Sequence, residues 1–127
     1  MLLAHSGFRY IYLLAALAVV GYVVYGLVTK RPFDKTIHGI FAVQMLSLDF
    51  TAFLGIAAGF SSRARYPGLG PHIATMLFAI VVLHIVSKVM RGRPEEERTY
   101  VPYLVATLVA LALVWVGIAA MGRPLLG

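Results

Sequence analysis

Four long apolar stretches, separated by short charged or turn-forming segments, organise the chain. Tyr10 to Thr29 carries no charge, Thr36 to Ser62 carries only Asp49, and Tyr66 to Ser87 and Thr99 to Gly122 carry none. Each supplies the ~20 apolar residues that a helix needs to cross a bilayer. With Arg31-Pro32, Tyr66-Pro67-Gly68 and Gly92-Arg93-Pro94 as breakers, the pattern predicts helices near residues 4–29, 36–60, 71–90 and 100–121. Short connections make consecutive helices neighbours of opposite direction. The predicted fold is therefore all-α, an integral membrane up-down-up-down four-helix bundle in which residues 1–127 form a single four-span domain.

Composition strengthens that picture and narrows the chemistry. Of 127 residues 61% are hydrophobic and 13% charged, against roughly 25% charged in soluble domains, and the mean hydropathy is +0.88. The absence of cysteine excludes disulfides, thiolate-bound iron–sulfur clusters, c-type haem attachment and a cysteine nucleophile. No phosphate-binding glycine loop, His-Glu-x-x-His or Ser-His-Asp arrangement is present, which leaves hydrolytic chemistry without support.

The formal charge of +6 reports topology and lipid headgroups, not nucleic acid. Lys30, Arg31, Lys35, Lys88, Arg91, Arg93 and Arg98 lie after helices 1 and 3, whereas the opposite side holds Arg63, Arg65 and Arg123, with Arg9 inside helix 1. By the positive-inside rule the two basic loops are cytoplasmic and both termini external. The N-terminus lacks the basic region of a signal peptide and reads as a retained first helix.

Against this apolar background the four histidines stand out, because a histidine in a hydrocarbon span faces the bundle interior with a partner. His5 and His72 open helices 1 and 3 near the external side. His38 opens helix 2 and His84 lies near the end of helix 3, both towards the cytoplasm. Two depth-matched pairs are what bis-histidine b-type haem requires, and the separation of His72 from His84 corresponds to about 18 Å of helix rise. Arg9 stands one turn from His5, and Lys88, Arg31 and Lys35 lie near the cytoplasmic pair, where propionates would emerge. Gly7, Ala15, Ala16, Gly39, Ala42, Ala74 and Ala79 leave space for a flat ring.

On helix 3, His72 and His84 point about 120° apart, so either two haems lie towards different helices or one is bound. The alternative for each histidine is an interfacial cap or an interhelical hydrogen bond.

Asp49 is the only acid within a span and lies about 20 Å in from the start of helix 2, on nearly the face of His38. With Gln44 and Ser47 nearby it is a candidate for proton exchange at a quinone headgroup, or a protonated acid bonded to a neighbouring helix. The tyrosines, Tyr100 and Tyr103 included, cluster at span ends as an aromatic belt does. Helix 4 has no ionisable residue and is assigned no ligand.

The opening His5-Ser6-Gly7-Phe8-Arg9-Tyr10 before a long apolar helix, with His72-x-x-x-Met76 opening helix 3, resembles a largely uncharacterised family of small four-helix bacterial membrane proteins of cytochrome b type. The resemblance covers most of the chain and implies a bacterial inner-membrane location. The sequence departs from the family pattern at Pro71, where a glutamate precedes the histidine, and the pattern has no counterparts of His38 and His84. The resulting expectation is a transmembrane cytochrome with one or two haems b, moving electrons within or across the bilayer. It would work as part of a respiratory or photosynthetic complex or beside protein redox partners, with quinone as exchange partner. Two alternatives remain: a haem-free structural subunit of a large cofactor-containing complex, and a small transporter coupled through Asp49.

Overall fold

The computed structural model describes the backbone of residues 2–62 and 68–122, and the side chains of 7–57, 68–94 and 96–122. It is all-helical: α1 (Leu2–Val28), α2 (Thr36–Ser62), α3 (Leu69–Gly92) and α4 (Val101–Ala120), with a single 3₁₀ turn at Glu95–Glu97. All four α-helices are long and apolar enough to cross a membrane. Their limits fall within about two residues of those expected from the breakers. Pro71 and Pro102 are absorbed in the first turns of α3 and α4, where an amide hydrogen has no intrahelical acceptor. The side chains of His5, Arg63, Arg65 and Arg123 lie outside the described residues.

The end of α1 shows how a charged loop stops an apolar helix. Lys30 takes a left-handed conformation (φ 55°). Its amide donates to Leu27 O (3.2 Å) and that of Arg31 to Gly26 O (2.9 Å), which closes the last carbonyls of α1 in a Schellman motif. The chain then turns at Pro32. Asp34 fastens it, accepting from the Tyr22 hydroxyl (2.7 Å to either carboxylate oxygen) and from the Thr36 amide (2.9 Å) that begins α2. Arg31 lies 3.9 Å from the same carboxylate, with its guanidinium 4.4 Å from the Tyr22 ring centre. Tyr100 ties the loop to α4, since its hydroxyl donates to Pro32 O (3.0 Å) and accepts from the Asp34 amide (3.2 Å). Gly26 makes room for that tyrosine, because a Cβ there would stand 2.8 Å from its ring.

The Tyr22 hydroxyl, helped by the Thr36 amide and Arg31, holds the Asp34 carboxyl below the ordinary carboxylate pKa of 3.8. A carboxyl depressed on folding stabilises the fold above its unfolded pKa, and that contribution disappears as pH falls through the folded value. Tyr22→Phe should therefore lower thermal stability in detergent at pH 7, and the gap from wild type should close below pH about 3.8. A gap that persists unchanged at low pH would assign the effect to packing.

α1 packs chiefly on α2 and α3 chiefly on α4, with lighter contacts joining α1 to α4 and α2 to α3. The interior is filled by Tyr12, Ala16, Val19 and Val23 of α1, Ile37, Phe41 and Gln44 of α2, Ala79 and Leu83 of α3, and Tyr103, Thr107 and Ala110 of α4. The outward faces are equally apolar: Leu14, Leu17, Phe53, Phe78 and Trp115 are exposed. Helices apolar on every side suit a hydrocarbon surround. The small residues divide into two groups. Ala15, Ala16 and Ala79 are buried and let helices close on one another, whereas a Cβ at Gly7 or Gly39 would meet nothing within 4 Å.

Candidate functional site

Each of the three described histidines bonds to a helix other than its own. His72 is the fourth residue of α3, as His5 is of α1. The first turn of α3 is built on Gly68, whose carbonyl accepts the His72 amide (3.0 Å). The His72 imidazole then reaches across to α4, with Nδ1 2.9 Å from the carbonyl oxygen of Gly117. A carbonyl only accepts, so Nδ1 carries the hydrogen and the basic lone pair is on Nε2. Gly117 permits this approach, since a Cβ there would overlap the Thr75 hydroxyl and stand 2.9 Å from Met76 Cε. On α1, the Arg9 guanidinium donates to the Tyr10 hydroxyl (2.9 Å) and lies over that ring.

Towards the other end of the bundle, His38 and His84 bond to different groups. His38 Nδ1 is 2.5 Å from the Tyr103 hydroxyl on α4, and Phe33 presents an edge contact to the imidazole with centroids 5.7 Å apart. Its Nε2 is buried and has no hydrogen-bond partner among the described residues. His84 instead meets Asp49 of α2, with Nε2 2.8 and 3.0 Å from the two carboxylate oxygens. This dyad lies on the outer side of the α2–α3 junction, where the side chains are 48% (His84) and 31% (Asp49) exposed. Asp49 was expected near the face of His38; in the structure Asp49 bonds to His84 of α3 and His38 to Tyr103 of α4.

Gln44 and Asp49 do not share a site. Gln44 is fully buried and donates through Nε2 to the Thr107 hydroxyl (3.0 Å), while its Oε1 and the Tyr12 hydroxyl are buried without hydrogen-bond partners among the described residues. Ser47 donates to Gln44 O (2.8 Å). Of the cations expected near the cytoplasmic histidines, Arg31 is engaged with Tyr22 and Asp34, and Lys88 is exposed.

Nothing in the sequence placed a ligand on α4, yet this helix supplies the Tyr103 hydroxyl, the Thr107 hydroxyl and the Gly117 carbonyl. A signal existed for the first two. Tyr103, Thr107, Ala110 and Val114 recur at helical spacing and are all buried, so their stripe faces inward. A backbone carbonyl such as that of Gly117 leaves no trace in side-chain pattern.

Comparison with protein-family models, curated proteins and solved structures returns no match to the chain. Among the described residues no group of three or more His, Cys, Asp or Glu side chains converges as a metal site.

Proposed function

We propose that the chain is a multi-pass protein of the bacterial inner membrane, its helices alternating up-down-up-down with both termini external, that holds one haem b between His5 and His72. The observation that carries this reading is the bond from His72 Nδ1 to Gly117 O. Ligating histidines characteristically donate their second ring nitrogen to a carbonyl or carboxylate, which fixes the tautomer and raises the basicity of the ligating nitrogen. The equivalent positions of His5 and His72, each fourth in its helix, support a shared depth. Open space over Gly7, near His5, fits the edge of a planar ring.

When bound, haem b supplies a one-electron couple. Within the chain, Gly117 orients His72, Thr75 and Met76 pack against Gly117, and Arg9 is placed to pair with a propionate. His38 and His84 are left out of this reading because they bond to different helices, His38 to Tyr103 of α4 and His84 to Asp49 of α2, and so do not face each other as a pair. Electrons pass to protein redox partners or to a larger membrane complex at the exposed faces, with quinone as the mobile carrier.

A second reading is favoured by the same bonds: each described histidine has a protein partner on another helix, as in a haem-free subunit that packs within a cofactor-containing complex. A visible spectrum of the protein purified from haem-replete cells decides between them. Low-spin haem b absorption at about one haem per chain supports the cytochrome; a colourless, folded preparation supports the structural subunit.

A further inference from the structure

We infer that the His84–Asp49 dyad on the outer face of α2 and α3 is a binding site for the carbonyl head of a lipid-soluble quinone. The inference deepens the proposed function by placing its mobile carrier, and it rests on the helices crossing a membrane, not on the haem. Asp49 lies at the midpoint of the 27-residue α2, about 20 Å from either end. At that depth no water or lipid ester group is present to complete a polar group's hydrogen bonds.

The proton arithmetic of the dyad defines what it lacks. Two arrangements keep it neutral overall: carboxylate with imidazolium, or carboxylic acid donating to Nε2 of a neutral imidazole. In both, Nδ1 of His84 bears a hydrogen. The third arrangement, carboxylate with neutral imidazole, leaves a net negative charge in hydrocarbon and is the costliest. Among the described residues nothing accepts from Nδ1, and Asp49 has no hydrogen-bond partner besides His84. The dyad thus presents one donor, with carboxyl lone pairs beside it, to the lipid side.

A carbonyl oxygen answers that donor, and a quinol hydroxyl would find an acceptor in the carboxyl group. A shallow, open groove of about 250 Å³ on the surface of α3, lined by Leu77, Phe78 and Val81, begins one turn from His84. Leu77, Val81 and His84 follow one another at i, i+4 and i+7 along one stripe of α3. A flat polar head at the dyad with an apolar tail along this groove matches both features.

The test uses the full chain in phosphatidylcholine nanodiscs and a radiolabelled decyl-tailed benzoquinone. Saturable binding at about one per chain is expected, weakened about tenfold by His84→Leu or Asp49→Leu through loss of the polar contact. The double Leu variant replaces both polar groups by apolar ones, so it keeps its helical content and monodisperse elution while binding is lost. An azido analogue should label α3 between Leu77 and Ile85. Binding is read without haem, so a colourless protein that binds quinone defeats only the cytochrome reading. Absence of saturable binding, equal binding by the double variant, or labelling elsewhere overturns the inference. So does a dimer in which Asp49→Cys copies cross-link and quinone fails to bind.

Discussion

His72→Ala is expected to give a membrane protein that assembles but carries almost no haem, whereas His38→Ala keeps its absorption. Alanine removes the proposed iron ligand and also the group that Gly117 O accepts from, while the α3–α4 contact around Gly117, Thr75 and Met76 persists. The bond to Gly117 contributes on the order of 1 kcal/mol, too little for its loss to prevent folding. The haem-to-protein ratio, measured beside circular dichroism, therefore separates ligation from folding. Equal haem loss in His38→Ala and His72→Ala would contradict a single site at the α1 and α3 starts. If the wild type is itself colourless and His72→Ala only lowers thermal stability, the structural-subunit reading prevails.

Gly68→Ala should be the most damaging small substitution in the described part of the chain. Gly68 has φ 81°, a left-handed conformation that costs other residues about 1–2 kcal/mol. A Cβ would also overlap the carbonyl oxygen of Ala120 and stand 2.7 Å from its carbon. The obstacle is backbone at the end of α4, so relief demands moving one helix end from another, at a further 1–3 kcal/mol or so. Because the Gly68 carbonyl accepts the His72 amide, the same shift displaces the histidine. A total loss of roughly 2–5 kcal/mol in denaturant unfolding from detergent is expected, together with reduced haem retention. A variant as stable as wild type would show that the two helix ends separate at little cost.

These residues also show where the sequence was legible. The four helices were readable because charges and prolines interrupt long apolar runs, a one-dimensional signal that survives without knowledge of packing. Histidine depth followed only in part, since His84 bonds to Asp49, eleven residues or about 16 Å along α2 from His38. Direction around each helix did not, because all four are apolar on every side and, the Tyr103–Thr107 spacing on α4 apart, no polar pattern marks the interior. Hence His84 was matched by depth with His38, although its bond is to Asp49, and Tyr103 was assigned to an aromatic belt although it is fully buried beside His38. Gln44 shows the same limit: its polarity was visible, but not that Thr107 on α4 would enclose it.

The filled interior bears on traffic across the membrane. From Val23 and Ile37 at one level, through Gln44, Leu83 and Ala110, to Val114 and Tyr12, described side chains close the space between the helices. A hydrated ion needs a continuous wet path several ångströms wide, and a lone bundle packed in this way offers none between these levels. Any solute carried by this chain would have to move along its outer surface or between copies. Electrons, which tunnel through packed protein, face no such barrier.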